Sequence, residues 1–170
     1  LLEDHLIWTL EPRWDMDVRD GYQFQSPSNR MGVSRWFAGM VRLGLSHNLR
    51  YVDFFNLSNN LQGPGATLLG LDFHDPYVLS YLEFKASLFM SDSIVAPHNG
   101  VIVEGTYDLA GGVLQGDYDC HKFEGVVRGY WRPWPRLQLA ARVNGGIFLR
   151  YGDQAGVPFN YKFYLGGASS

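Results

Sequence analysis

The chain has 170 residues, a net charge of −3 and a single cysteine, Cys120. That length suits one domain with a sizeable core, the slight acidity removes a general electrostatic case for nucleic acid, and one cysteine excludes an internal disulfide framework. No run of about 18 apolar residues exists to cross a membrane as a helix, but membrane barrels are not excluded, because their strands alternate and average out to neutral.

The elements follow in chain order. LLEDHLIW carries acids where a basic leader would stand, so no signal peptide is expected there. Residues 6–19 place Leu6, Trp8, Leu10, Pro12, Trp14, Met16 and Val18 on one parity and Thr9, Glu11, Arg13, Asp15, Asp17 and Arg19 on the other. This period-two alternation predicts a strand, with Pro12 a warning inside it. DGYQFQSPSNRMG reads as a connecting loop from its Gly, Pro, Ser and Asn content. A second strand is expected over 33–47 and a third over 49–61, followed by a GPGA turn at 63–66 and a short strand over 67–74. From Tyr77 the alternation sharpens into strands over 77–90 and 100–112, with SDSIVAPHNG as the loop between them. Another strand over 121–132 leads through a PWP turn at 133–135 into 137–151. In that last stretch Leu137, Leu139, Ala141, Val143, Ile147, Leu149 and Tyr151 oppose Gln138, Arg142, Asn144 and Arg150. It is about fifteen residues long, whereas strands of soluble domains cluster near five or six and a tilted membrane strand needs about 9–11 plus extensions. The expected architecture is all-β: an antiparallel meander of about eight long strands forming part of a transmembrane β-barrel, a single domain over 1–170.

The polar parities of the later strands carry Glu83, Lys85, Glu104, Asp108, Lys122, Glu124, Arg128, Arg142 and Arg150. Buried in a sandwich core these charges would be costly, so they face water, either outside a soluble sheet or inside a hydrated lumen. Tyr107, Trp131 and Tyr151 lie near strand ends of the apolar parity, as an interfacial girdle would. A soluble eight-stranded barrel with its apolar face inward satisfies the same alternation. Strand length, 15% aromatics and twenty glycines favour the membrane barrel. In that reading Glu104, Asp108, Lys122, Glu124, Arg128, Arg142 and Arg150 are the candidate lumen-facing charges.

No catalytic set emerges. The histidines (5, 47, 74, 98, 121) lack a ligand spacing that shares one face, and Cys120 and His121 point to opposite sides of a strand. Gly44-Leu45-Ser46-His47-Asn48 lacks the closing glycine and strand-to-helix context of a nucleophile elbow. The glycine pairs at 111–112, 145–146 and 166–167 precede no helix N-terminus and are not phosphate loops. No enzyme activity, metal or cofactor is expected.

Several stretches together are similar to the barrel of the outer-membrane protein assembly factor superfamily, the BamA and TamA type. VPFNYKFYLGGASS resembles the family's loop of Pro-Phe, an aromatic, Leu-Gly-Gly and small residues that precedes a Val-Arg-Gly motif. APHNGVIVEGTYDLAGGVLQGDYDCHKF resembles its Pro-x-x-Gly turn, a strand ending in Ala-Gly-Gly, then Leu-x-Gly-Asp and Lys-Phe. WDMDVRDGYQFQSPSNRMG resembles an earlier Asp-Arg-Asp and Pro-x-x-Gly turn more weakly. The resemblance covers about 92–170 well and 5–91 loosely, and it rests on order and spacing rather than on any one piece. It implies a partial barrel, about eight of the family's sixteen strands, with the periplasmic POTRA domains and the C-terminal strands outside this chain. It also implies a bacterial outer membrane, or less readily an organelle's, and non-enzymatic help with folding and inserting β-barrel proteins. Its partners would be membrane lipid, unfolded outer-membrane clients and periplasmic or lipoprotein accessory subunits. Phe163, Tyr164, Gly166 and Gly167 would belong to a loop that folds into the lumen. Alternatives are a two-partner secretion pore, a porin-like channel and a soluble β-barrel ligand binder.

Overall fold

Long amphipathic strands with short reversals have one economical solution, a meander in which each strand pairs with the next. The computed structural model describes residues 5–19, 22–55 and 76–151. Among them it has seven strands: β1 (Leu6–Arg19), β2 (Tyr22–Phe37), β3 (Val41–Phe55), β4 (Tyr77–Ser91), β5 (Gly100–Ala110), β6 (Cys120–Trp134) and β7 (Leu137–Arg150). They form one antiparallel sheet in sequence order, with β1 and β7 as its two edges among the described residues. Among the described residues one 3-10 turn, Gly112–Leu114, interrupts the all-β pattern.

Three expectations in the first half are corrected. The stretch taken for a loop is β2, and the ladder to β3 passes from the Gln25↔Asp53 pair to Ser28↔Arg50. Ser26 and Pro27 fall in that gap, where proline's missing N–H is tolerated. The expected strand over 33–47 is broken by a reversal at 38–40, in which Ala38 (φ 50°) and Gly39 (φ 69°) both take left-handed backbone. Two successive positive φ values match the twist of the hairpin, but the usual Asn-Gly signature is absent. The third strand accordingly begins at Val41 rather than at 49 and is described as far as Phe55, positions 56–61 lying outside the described residues. The expected GPGA turn and the strand over 67–74 lie outside the described residues. Later, β6 continues to Trp134, so the turn falls on Pro135 and Arg136 rather than on PWP. Pro12 sits on β1, an edge strand.

Hairpin positions show how the sheet is tilted. The β2–β3 reversal closes on Phe37↔Val41, in line across the sheet with Val127↔Val143, whereas β6–β7 closes lower, at Trp134↔Leu137. On β7 the offset from Val143 to Leu137 is about 20 Å along the strand, accumulated over four strand spacings of about 4.8 Å each. If the turns lie level, the strands tilt by about 45°, close to the 35–45° that barrels require.

The β4–β5 loop is built around its own motif. Gly100 has φ 126°, and a Cβ there would lie 2.2 Å from the Met90 carbonyl oxygen. The Asp92 N–H donates to the Asn99 carbonyl (3.1 Å), and Asn99 Oδ1 accepts the Arg132 N–H from β6 (2.9 Å). The His98 N–H donates to Asp92 Oδ1 at 2.8 Å, and chiefly for that reason the Asp92 carboxyl titrates below the usual aspartate value. A depressed folded pKa contributes order above the ordinary value of about 3.9, lost as pH falls through the lowered one. Hydrogen exchange should therefore find the His98 amide protected from neutral pH down to about 4 and unprotected in stronger acid. Unchanged protection well below pH 3, or equal protection in Asp92→Ala at pH 7, would contradict this role.

Candidate functional site

The two faces of the sheet are inverted relative to a soluble protein. Trp8, Trp14, Val127, Val143, Ile147 and Leu149 share the outer face and are 44–78% exposed. Opposite them, Ser46, Ser87 and Asp108 are 4–6% exposed. An exposed apolar face of this extent marks contact with lipid or protein. On β6, Trp131 and His121 are ten residues apart, about 33 Å along the strand and about 23 Å in height at that tilt. That is close to the roughly 25 Å height of the apolar band of an outer-membrane barrel, and aromatics flank it at both levels as a girdle does. Near the short-turn rim are Trp131 and Trp134, with Arg35 lying over the Phe37 ring at 5.3 Å. At the other rim, Tyr107 Oη and His121 Nδ1 are 2.8 Å apart, and the Tyr151 hydroxyl donates to the Ala110 carbonyl at 2.8 Å.

The polar face is concave. A pocket of about 220 Å³ on it is lined from β1 to β5, by Thr9, Arg30, Arg42, Ser46, Glu83 and Glu104 among others. Side chains also meet over an intervening strand. Arg30 of β2 reaches Glu83 of β4 at 2.6 Å, and Arg50 of β3 lies 3.8 Å from Asp15 of β1. Ser46 donates a second hydrogen bond to Glu83, at 3.2 Å. Glu104 takes Arg128 at 2.7 Å with Lys85 at 3.9 Å, and Lys122 meets Glu124 at 2.8 Å. These pairs form a belt across the middle of the wall.

Above the belt, toward the β5–β6 loop, the same face turns aromatic. Phe24, Val52, Phe54, Tyr77, Leu79 and Tyr118 form a buried cluster, Tyr118 meeting Tyr77 edge-on at 5.2 Å. Tyr118 arrives there because the β5–β6 loop folds back along β4. The Gly111 N–H donates to the Ser80 carbonyl, the Asp117 N–H to the Val78 carbonyl, and Asp117 Oδ2 accepts the Val78 N–H. The Ala-Gly-Gly and Leu-x-Gly-Asp stretches thus build one loop. A Cβ at Gly111 (φ 81°) would sit 2.0 Å from Asp119 Oδ1, and one at Gly116 3.0 Å from the Ser80 nitrogen.

All seven charged candidates share this face. Asp108 and Lys122 are a registered pair, Thr106 pairs Glu124, Ser87 pairs Glu104, and Arg128 pairs Arg142. Arg150 stands opposite Cys120. Phe163, Tyr164, Gly166 and Gly167 lie outside the described residues. Sequence reading missed Arg30, which it placed in a loop, and the aromatic cluster, because adjacent Phe54 and Phe55 look like broken alternation. Phe54 packs inward and belongs to the cluster. Among the described residues no group of three or more His, Cys, Asp or Glu could hold a metal.

Glu104 is the belt's shared acid, with its side chain 18% exposed. Glu104→Gln should lower urea-unfolding stability in bilayers by about 1–2 kcal/mol, since it strands a partly buried arginine and lysine. Glu124→Gln, at a side chain 41% exposed whose lysine, though mostly buried, keeps a further interaction of its own, should cost less than Glu104→Gln. Equal losses for the two would contradict a belt organised on Glu104.

The model of the Omp85 superfamily domain matches residues 72–170. No curated protein matches the chain.

Proposed function

The chain belongs to the Omp85 superfamily and is thereby an outer-membrane protein, and on that premise we propose that it forms part of a barrel that helps other β-barrel proteins fold and insert. The proposed mechanism is non-enzymatic. A weakly paired seam and a locally thinned bilayer lower the barrier to strand insertion, and client strands are accepted by edge pairing, the chemistry of β-augmentation. Phe163, Tyr164, Gly166 and Gly167 are proposed for a loop entering the lumen, and the seven charged residues for the hydrated wall it would meet. A bacterial outer membrane is the proposed setting, with unfolded barrel proteins as clients and periplasmic or lipoprotein subunits as accessories.

The observation that carries this reading is the inverted sheet, whose polar wall already has most of its charges bonded to one another. A wall of paired charges crowned by packed aromatics supports a scaffold better than a porin-like channel, whose lining must stay open and solvated. The same observation disfavours a soluble ligand binder, which would place the Val143 face inside. In the test, the parent protein is reconstituted in bilayers with an unfolded barrel client. Client folding should accelerate several-fold over empty bilayers. Conductance without acceleration would favour the channel, and a folded, monomeric chain in plain buffer would end the membrane reading.

A further inference from the structure

The apolar parity of the wall is broken at half-height by two hydrogen-bonding side chains. Asn29 of β2 and His47 of β3 belong to that parity: Asn29 pairs with Pro12 and Leu49 in the ladder, and His47 with Met31 and Leu82. His47 stands six residues above the turn-side end of β3 at Val41, about 14 Å in height at a 45° tilt. That is near the middle of an apolar band about 25 Å tall. Leu49 and Tyr51 carry the apolar parity on above it, Leu45 and Leu43 below it. The pair is therefore an island in the band and not an inlet of the polar interface.

One bond of this group is made within the chain: His47 Nε2 and the Ser80 hydroxyl are 3.0 Å apart. Among the described residues Nδ1 of the same ring and the Asn29 side chain make no hydrogen bond, and Asn29 Oδ1 is buried without a partner. In hydrocarbon such groups are costly to leave unpaired, and polar side chains there bond to those of a neighbouring membrane segment.

We propose that this island is the centre of an interface with a second copy of the protein in the membrane, in which Asn29 of each copy hydrogen-bonds His47 of the other. Two observations select that occupant. An amide offers both a donor and an acceptor, so it matches Nδ1 in either ring tautomer, and the set is complementary to itself. A two-fold axis along the membrane normal keeps every atom at its own depth, so residues that meet across it must lie at equal height. Moving one strand over from Asn29 to its partner Leu49 gains about 3.4 Å at this tilt, and stepping back two residues to His47 loses about 4.7 Å. The two side chains therefore differ in depth by only about 1 Å. Exposed Leu10, Met31, Leu45 and Leu49 surround the pair and would close around it. The proposal rests on the outer-membrane placement alone and stands whether or not the barrel assembles clients.

The test puts the parent protein, as mixed donor- and acceptor-labelled copies, into phosphatidylcholine vesicles over a series of protein-to-lipid ratios and reads energy transfer. Transfer should rise with density to a half-point. Asn29→Leu and His47→Leu should each move that half-point about tenfold toward higher density, the effect of two weak hydrogen bonds in a membrane. Either substitution breaks both symmetric bonds, so the double variant should shift no further than the single ones. In a Cys120→Ser background, Leu49→Cys, beside both polar groups, should form a disulfide with its counterpart in a second copy under copper–phenanthroline. That arm covers the case in which a leucine variant fails to assemble. Val143→Cys, on the same face but four strands away, should not crosslink. Transfer at the level of random proximity at every density, a half-point unmoved by both substitutions, no disulfide at position 49, or equal crosslinking at 49 and 143 would overturn the proposal.

Discussion

Val143→Arg should cost the assembled barrel about 2–4 kcal/mol in a bilayer, the depth-dependent penalty for arginine on a lipid-facing position near mid-height. Val143 is 71% exposed on the outer face, opposite Val127 in the ladder. Its neighbour Asn144 has the opposite parity and lies two residues from Arg142, so Asn144→Glu should change stability by less than about 0.5 kcal/mol or raise it slightly. Val143→Leu separates lipid from a protein core. Lipid has no fixed shape and accepts the extra methylene, whereas a close-packed core loses about 1–3 kcal/mol to overpacking. Urea titration in bilayers measures all three. A clear loss for Val143→Leu beside a tolerated Asn144→Glu would place this face in a protein core.

Gly100→Ala and Gly111→Ala should each remove about 3 kcal/mol or more, enough to leave much of the protein unassembled on a heat-modifiability gel. Both positions need a positive φ that a Cβ strains. In both, the new Cβ would also land on backbone or a tied side chain: Met90 O and Ser91 Cα for Gly100, Tyr118 O and Asp119 Oδ1 for Gly111. Neither neighbour can withdraw cheaply, because Ser91 pairs with Gly100 in the ladder and Asp119 Oδ1 accepts the Gly112 N–H. Gly125→Ala is the control. Nothing lies within 4 Å of a Cβ there, and alanine in a strand with open space should shift stability by less than about 1 kcal/mol, either way. If Gly125→Ala proved as damaging as Gly100→Ala, the cause would be general to glycine in the wall rather than these two loop geometries.

Legibility followed the alternation. From Tyr77 to Arg150 the strands lie within two residues of where they were expected and the seven charged candidates share one face, because a period of two fixes the face of each residue once one is known. The face-sharing of Glu104, Glu124, Arg128 and Arg142 needed nothing more. In the first half the rule failed where the inner face is small and polar. Ser26 and Ser28 look like loop residues, yet on the polar wall they make room for Arg30, whose head reaches Glu83. The Ala38-Gly39 reversal was hidden because alanine carries no turn signal, and its positive φ is imposed by the strands it joins.

By itself the sequence determined the all-β class, the two-faced strands, the later register of faces and the family. It could do so because alternation and ordered turn motifs are local and survive in one dimension. Only the tertiary structure decided which charges meet. Arg30 and Glu83 are 53 positions apart in sequence and come together only because an intervening strand curves beneath them. Curvature likewise packed Tyr118 against Tyr77, and the register of β6 on β7 set Arg142 opposite Arg128. Those outcomes depend on strand stagger and tilt summed over the whole sheet, and no local pattern encodes that sum.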